Sequence, residues 1–301
     1  MRLEDRNDVA KLTSTLYRIE GPNGSKFPFC ASYLFLDQAT VLIDAGIGEA
    51  KLKEIDAAHP IDILIISHSH SDHILSWHLL SDRRILIPKE TPEMGDLEAM
   101  GRRFTGSEDK GAYWAKVVGR PLGIRPLREP DGRFGNRSVL KMGTTHLEAI
   151  HSPGHLADHY CFFDRTSGVM LSTDIDFTSF GPWYGNAECD IDQFKNSVRR
   201  IMKFPTVKLC PSHKPPINEN TEAALAGFLE GFDRHRQTIL ELCSPARSLQ
   251  QMTALSPFYR NRMPDKVLQR IFEEPMIMKN LELLLREGVV EEKFGHYRRV
   301  G

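Results

Sequence analysis

Residues 61–73 read IDILIISHSHSDH, an apolar run that stops at Ser67 and continues directly as polar residues. A continuous apolar run of this length is typical of a strand buried on both faces. We therefore predict a buried strand over Ile61–Ile66. In α/β architectures, the polar groups that follow the C-terminal ends of such strands usually carry the chemistry. The sequence thus predicts a functional site immediately after this strand.

The polar residues after this strand form a dense set of metal-ligand types. His68, His70, Asp72 and His73 lie within six residues, and imidazole with carboxylate suits a borderline cation such as zinc. A solvated turn rich in serine and histidine is the alternative explanation, and the preceding apolar strand disfavours it. The stretch therefore predicts a metal site.

Three later segments place a ligand-type residue after a predicted strand. These residues are His155, after Leu147–Ile150, Asp174, after Val169–Leu171, and His213, after Val207–Leu209. Each is weak evidence by itself, because a histidine or aspartate after a strand is usually a cap or a turn. Together with the first four residues they supply seven ligands, which is enough for two ions that share one carboxylate.

The rest of the first 218 residues alternates between strand and helix patterns. Helical spacing appears near Pro92–Met100, Lys110–Val118 and Asp192–Met202, and further strands are predicted at Leu16–Ile19, Ser32–Leu36, Thr40–Ile43, Val139–Leu140 and Tyr160–Phe163. This order suits two packed sheets with helices outside them. We predict an α/β fold.

The pattern changes after Asn220. Apolar spacing predicts one helix over Leu225–Leu240, a capping box predicts a second at Ser248, and a third is predicted over Ile277–Leu285. A small hairpin is predicted around Gly295. We therefore divide the chain into residues 1–218 and a C-terminal helical unit, residues 219–301.

The ordered set of motifs resembles that of the metallo-β-lactamase superfamily. The motifs are His68-x-His70-x-Asp72-His73, Pro153-Gly154-His155, Asp174 and His213, and the likeness covers roughly residues 12–218. The resemblance implies an αβ/βα sandwich. The C-terminal unit is similar to the winged-helix-like tail of the β-lactamase-like-protein-2 and glyoxalase II-like subgroup. Two positions depart from the family: Thr173 stands where glycine often precedes the bridging aspartate, and Ser212 precedes the final histidine.

The resemblance also implies roles for the seven residues. His68, His70 and His155 would bind one metal, Asp72, His73 and His213 the other, and Asp174 would bridge them. The cofactor expected is two Zn²⁺ per chain, with iron or manganese as alternatives. Two such ions generate hydroxide at neutral pH, and Asp72 is the expected acid–base group. The chain is thus expected to be a hydrolase.

The substrate is less well determined by the sequence. The loop after Asp174 is aromatic, so Phe177, Trp183 and Tyr184 are candidate substrate contacts, with packing between sheet and helix as the equal alternative. Residues 101–137 hold nine Lys/Arg against four Asp/Glu. That excess favours an anionic substrate, such as a coenzyme A thioester or a phosphodiester. A solvated surface is the commoner explanation of such a run. We expect cleavage of an ester or thioester.

Two other functions are alternatives. Metal-dependent endoribonuclease or phosphodiesterase activity is one, because the subgroup includes an endoribonuclease. Residues 221–301 carry twelve Lys/Arg and eleven Asp/Glu, which disfavours a nucleic-acid surface and favours a lid or a homodimer contact. Iron oxidation chemistry, as in persulfide dioxygenases, is the other, and the complete second ligand set disfavours it.

Composition places the chain among ordinary globular enzymes. The formal net charge is −1 and 41% of residues are hydrophobic, so neither nucleic acid nor an anionic membrane is indicated. The first residues are too polar for a secretory signal. Five scattered cysteines argue against a disulfide framework. We expect a cytoplasmic protein without a membrane anchor.

Overall fold

The computed structural model describes residues 3–300 of the chain. A seven-stranded sheet follows chain order from β1 to β7. Its strands are Val9–Lys11 (β1), Leu16–Ile19 (β2), Ser32–Leu36 (β3), Thr40–Ile43 (β4), Ile63–Ile65 (β5), Arg84–Pro88 (β6) and Gly132–Phe134 (β7). Pairing is antiparallel from β1 to β4 and parallel from β4 to β7.

A five-stranded sheet and a small three-stranded sheet complete the β structure. The five-stranded sheet contains Val139–Lys141 (β8), His146–His151 (β9), Tyr160–Asp164 (β10), Val169–Thr173 (β11) and Lys208–Pro211 (β12), in the order β12-β11-β10-β9-β8. The small sheet contains Arg247–Ser248 (β13), Val290–Lys293 (β14) and His296–Arg299 (β15), in the order β13-β15-β14.

The helices connect these strands and cover the sheets. They are the short turn Pro22–Ser25 (α1), Glu49–Ala58 (α2), Leu97–Thr105 (α3), Glu108–Trp114 (α4), Ile191–Ile201 (α5), Thr221–Leu242 (α6), Leu249–Leu255 (α7) and Lys266–Arg286 (α8). Across residues 3–300, no helix is both long and apolar enough to cross a bilayer.

Side chains alternate along the central strands between two apolar layers. In β3, Tyr33 and Phe35 pack in a core shared by the two large sheets, whereas Leu34 points to the helices outside the first sheet. In β10, Phe162 joins the shared core and Phe163 packs beneath the helices outside the second sheet. Both sheets are therefore buried on both faces. This layering confirms the predicted α/β fold with its αβ/βα sandwich.

The segment after residue 219 contains the three expected helices and the hairpin between β14 and β15. Its apolar side chains Phe228 and Leu281 share a core with Phe163 of β10 and Phe194 of α5. The last helices thus pack on the outer face of the five-stranded sheet. The division at residues 218 and 219 stays a prediction, and this shared core implies that neither part buries its apolar surface alone.

Between residues 82 and 137 the prediction is partly wrong. The sequence does not predict the strand β6, and the first helix begins at Leu97, later than expected. Asp96 explains this start, because its side chain accepts a hydrogen bond from the backbone N–H of Ala99. The predicted strand over Ile61–Ile66 is confirmed as β5, and the capping box at Ser248 is confirmed at the start of α7.

Candidate metal centre and cavity

The seven predicted ligand residues lie at the ends of strands from both large sheets. The loop after β5 carries His68, His70, Asp72 and His73. The other three residues follow strands of the five-stranded sheet: His155 follows β9, Asp174 follows β11 and His213 follows β12. Because β11 and β12 are parallel neighbours, the side chains at their C-terminal ends emerge together. The structure therefore brings all seven residues to one place.

One group consists of three imidazoles and a carboxylate. Ligand-type atoms of His68, His70, His155 and Asp174 all lie within 4.8 Å of one another. Nδ1 of His70 is 3.1 Å from Nε2 of His68 and 2.9 Å from Nε2 of His155. Nitrogens that share a tetrahedral zinc ion would be about 3.3 Å apart, given the usual metal–nitrogen distance. The observed nitrogen–nitrogen distances are therefore compatible with one cation shared by these side chains.

A second group lies next to the first and consists of Asp72, His73 and His213. Oδ2 of Asp72 is 3.3 Å from Nε2 of His213. Asp174 lies between the groups: its Oδ1 is 3.0 Å from Nε2 of His73, and its Oδ2 is 3.2 Å from Nε2 of His155. One carboxylate thus faces both groups.

The outer ring nitrogens of four histidines contact hydrogen-bond acceptors. Nδ1 of His68 lies 3.0 Å from Ser67 Oγ, Nδ1 of His73 lies 2.7 Å from Asp44 Oδ2, Nδ1 of His155 lies 3.1 Å from the Trp183 carbonyl, and Nδ1 of His213 lies 2.6 Å from the Ser25 carbonyl. Each Nδ1 is therefore placed to carry hydrogen, so that Nε2 is the ring nitrogen that faces inward. This arrangement typically surrounds protein metal ions.

Asn186 orients the remaining imidazole and is not predicted from the sequence. His70 turns Nδ1 inward, so its outer nitrogen is Nε2, which lies 2.6 Å from the amide nitrogen Nδ2 of Asn186. The amide oxygen accepts the Nε2 hydrogen when the amide is turned to face the ring. Asn186 is buried and lies 116 residues away in the chain, so no local pattern indicates it.

Nε2 of His73 and Oδ1 of Asp174 are both buried and, although they lie 3.0 Å apart, neither has hydrogen-bond geometry with the other or with any other group among residues 3–300. Buried polar atoms are rarely left unpaired, and a cation between them would satisfy both. Burial also lowers the pKa of His68 and of His70, which favours the neutral ring that binds metal. The residues present therefore fit a divalent cation of the zinc class.

At His73 and His213 the surrounding charges outweigh burial. Burial lowers the pKa of His213, but the carboxylates of Asp174, Asp176 and Asp72 raise it to about 10. Burial likewise lowers the pKa of His73, while Cys30 and the nearby carboxylates raise it above its ordinary value. When no cation is present, the surrounding carboxylates therefore favour the protonated form of both rings.

Thr173, which stands where the family often has glycine, adopts a left-handed backbone conformation, with φ of 46°. Its Oγ1 lies 2.7 Å from Nε2 of His159 and 2.8 Å from the carbonyl oxygen of Tyr160. Nε2 of His159 also accepts the backbone N–H of Asp174, at 3.2 Å. These contacts fix the backbone that carries the shared carboxylate.

A cavity of about 560 Å³ opens above both ligand groups. Most of its wall is apolar, and its aromatic side chains come from distant parts of the chain. They are Phe27, Phe104, Trp114, Phe180, Trp183, Phe228, Tyr259 and Phe272. Tyr259 and Phe272, with Met263 and Leu268, belong to the segment after residue 219. That segment therefore forms part of the cavity wall.

The three candidate substrate contacts have different positions. Trp183 lines the cavity, and its ring centroid is 5.6 Å from that of His70. The expectation for Tyr184 is corrected: its side chain is fully buried, and its hydroxyl is 2.9 Å from Nδ1 of His235. Phe177 packs against Phe228 and is not part of the wall.

The basic side chains of residues 101–137 do not line the cavity, although Phe104 and Trp114 of the same segment do, which corrects the expectation that the segment supplies cations there. None of its nine Lys/Arg side chains, all within the described range, lines the wall. Arg102 pairs with Glu108, and Arg103 pairs with Asp158 and Glu188. The acids that neutralise Arg103 lie more than fifty residues away, so a local count of charges missed them.

Comparison with known proteins gives one consistent family. Residues 26–213 match the model described as the metallo-beta-lactamase superfamily. A hydroxyacylglutathione hydrolase from Francisella tularensis subsp. tularensis (strain WY96-3418) is 22% identical over 263 residues, covering 85% of this chain and 92% of the relative. The enzyme of the same name from Francisella tularensis subsp. holarctica (strain LVS) is 25% identical with the same coverage.

Two solved structures are similar along nearly the whole chain. A metallo-beta-lactamase family protein from Thermus thermophilus superimposes with a TM-score of 0.77 at 19% identity, covering 96% of this chain and 100% of that one. A beta-lactamase domain protein from Burkholderia ambifaria gives 0.73 at 16% identity, covering 97% and 93%. Both similarities extend beyond residue 219, so the arrangement of the last helices recurs in these folds.

Proposed function

This chain belongs to the metallo-β-lactamase superfamily and is a hydrolase of that family, and we propose that it uses two divalent metal ions to cleave an ester or thioester of a small organic acid. One observation carries the proposal: seven ligand-type side chains converge at the floor of an apolar cavity of about 560 Å³. A cavity of this size accommodates a drug-sized molecule.

We assign the seven residues to two ions. His68, His70 and His155 would hold one ion and Asp72, His73 and His213 the other, and Asp174 would contribute to both sites. Zinc suits this donor set, with iron or manganese as alternatives. When bound, such ions lower the pKa of water toward about 7 and polarise the acyl oxygen.

The side chains of the cavity have separate tasks in this proposal. Burial raises the pKa of Asp72, which suits a group that takes a proton from the attacking water and passes it to the leaving group. Trp183 and Phe104 bind the apolar part of the substrate and exclude water from the floor. Asn186 holds the ring of His70 in its inward orientation.

The cavity wall favours an acyl substrate over a nucleic acid. A phosphodiester backbone needs several cations along its path, whereas none of the nine Lys/Arg side chains of residues 101–137 lines the wall. The curated relatives add support, since their name, hydroxyacylglutathione hydrolase, specifies release of an acyl group from a thiol. We carry only that bond type over to this chain.

A substrate screen tests the proposal. Zinc-loaded protein is incubated with acyl-coenzyme A and glutathione thioesters, aryl esters, lactones and short RNA, with Asp174→Ala protein as the control for contaminating activity. We expect thioesters or esters with apolar acyl groups to be cleaved fastest, and metal analysis to give close to two ions per chain. RNA cleavage with no ester or thioester cleavage would overturn the proposal.

A further inference from the structure

Two lysines line the cavity, and neither has a charged partner. Lys26 and Lys214 are the only Lys/Arg side chains in the wall among residues 3–300. Within the same residues, neither ammonium group makes an ion pair or a hydrogen bond. Four of the seven arginines of the segment 101–137 pair with acids: Arg102, Arg103, Arg120 and Arg128. Lys26 and Lys214, in contrast, line the cavity without a charged partner in the described part of the chain.

The two lysines come from separate segments that meet at His213. Lys214 directly follows His213, and Lys26 directly follows Ser25. The Ser25 carbonyl lies 2.6 Å from Nδ1 of His213, and the Ser25 hydroxyl accepts the backbone N–H of Gly21 at 2.9 Å. The contact between the Ser25 carbonyl and His213 holds the two lysine-bearing segments together. Both lysines therefore flank the ligand group that contains His213.

The opposite side of the cavity is aromatic. The ring centroid of His70 is 5.5 Å from that of Phe104 and 5.6 Å from that of Trp183. Trp183 in turn packs against Phe272, at 5.7 Å. The cavity thus has an apolar end beside His70 and a cationic end beside His213, with the metal-ligand groups between them.

The cavity also contains three carboxylates, those of Asp72, Asp174 and Asp176. Asp72 and Asp174 lie against the histidines at distances of 3.0–3.6 Å, and Asp176 accepts the backbone N–H of His213 at 3.1 Å. All three are engaged at the floor. The ammonium groups at the wall remain available to an anion from outside.

Resting on the hydrolase function proposed above, we propose that Lys26 and Lys214 form an anion-binding subsite for a carboxylate or phosphate group on one end of the substrate. The substrate then lies across the two ligand groups, with its anionic end at His213 and its apolar end between Phe104 and Trp183. This polarity makes the enzyme selective for acyl compounds that are apolar at one end and anionic at the other.

Binding of inert probes tests the subsite without requiring turnover. The first probe is a thioether that joins a 2-phenylethyl group to a propionate tail. The second is the same thioether with an uncharged propionamide in place of the propionate, and the third carries an ethyl phosphate tail instead. Their affinities for zinc-loaded protein are measured by calorimetry. The variants are Lys26→Gln, Lys214→Gln and the double variant, and Lys203→Gln is the matched control because Lys203 is exposed and lies outside the cavity.

We expect the wild type to bind the anionic probes about tenfold more tightly than the amide, as two charge-assisted contacts allow. Each single variant should lose about threefold, the double variant should lose the preference, and the amide and Lys203→Gln should be unaffected. If the double variant keeps the full preference for anions, the subsite is overturned. Cleavage of thioesters in that case would leave the hydrolase function standing, because the two measurements are independent.

Discussion

Asp174 is the residue on which the two ligand groups depend together. Its two carboxylate oxygens face His73 and His155 separately, so removing the carboxylate leaves both groups incomplete. We predict that Asp174→Ala lowers kcat/KM on a confirmed substrate by at least about a thousandfold, the order of loss expected when an essential electrostatic group is removed. The His70→Ala variant should lose a similar factor.

Circular dichroism and metal analysis accompany these measurements. A folded Asp174→Ala protein with fewer than two ions per chain is the expected result. The assignment would be wrong if either variant kept more than a small fraction of the wild-type rate. Neither substitution should unfold the protein, since both side chains project from strand ends or loops and not into the apolar cores.

Thr173 shows how one residue can offset backbone strain. A left-handed conformation costs an L-residue about 1–2 kcal/mol, and the contacts of Thr173 Oγ1 with His159 and Tyr160 oppose that cost. Thr173→Ala removes the contacts and keeps the strain, so we predict a loss of about 1–2 kcal/mol in the free energy of unfolding. Thr173→Gly removes both the contacts and the strain, so its free energy of unfolding should lie within about 1 kcal/mol of that of the wild type.

Urea unfolding of the metal-free protein measures this series. We predict that the glycine variant is more stable than the alanine variant, which is the reverse of the usual order of stability at an ordinary strand position. Finding the glycine variant less stable than the alanine variant would show that the strain at Thr173 is unimportant.

The strands differ in how well the sequence predicts them. The strands β2, β3 and β4 are predicted at their observed bounds, because each alternates between two apolar layers and is followed by a turn. The strand β6 is missed although Ile85-Leu86-Ile87 is an apolar run, because that run is only three residues long and lies between Arg84 and Pro88. Its pairing with β5 and β7 then decides its structure.

The loop between α7 and α8 connects the C-terminal segment to the metal centre. Buried Glu273 of α8 accepts the backbone N–H groups of Phe258 and Tyr259, at 2.8 and 3.1 Å. The Tyr259 hydroxyl accepts the indole N–H of Trp183 at 2.6 Å, and the Trp183 carbonyl contacts Nδ1 of His155. A continuous chain of hydrogen bonds thus runs from α8 to a ligand residue.

We predict that Tyr259→Phe raises KM for substrates with large acyl groups by about three- to tenfold, with a smaller change in kcat. The reason is that the indole N–H of Trp183 loses its partner, at a cost of about 1–2 kcal/mol in positioning the ring. Steady-state kinetics with short and long acyl groups makes the comparison. Tyr297→Phe is the control, because Tyr297 is outside the cavity wall. Equal effects on all acyl lengths would contradict a role in the cavity.

For the whole molecule, the sequence predicts the layers and the ligand set but not the shape of the cavity. The candidate ligands are predicted because four of them lie within six residues and the others follow strands. The roles of Asn186 and Tyr259 are not predicted from the sequence, since each reaches the site only through the packing of distant segments. Charge counting fails over residues 101–137 for the same reason: the partners of Arg103 come from other loops.

The metal centre should couple the stability of the molecule to pH. In the metal-free protein the pKa of His213 is about 10, above the value of about 6.5 in an unfolded chain. Protonated His213 therefore contributes stability that is complete below about pH 6.5 and is lost as the pH rises through 10. A metal ion requires the same Nε2 without its proton, so metal loading at pH 7 must release that proton.

We predict that the stabilisation by zinc grows between pH 7 and pH 9, by up to about 1.4 kcal/mol per pH unit for each proton released. The measurement compares Tm for metal-free and zinc-loaded protein at a fixed free zinc concentration. Calorimetry of zinc binding in buffers with different ionisation enthalpies counts the protons. A proton count near zero at pH 7, with a difference in Tm that does not change with pH, would contradict the protonated state of His213. His235→Gln is a suitable control, because burial lowers the pKa of His235 to about 4 and its ring lies outside both ligand groups; it should leave the proton count unchanged.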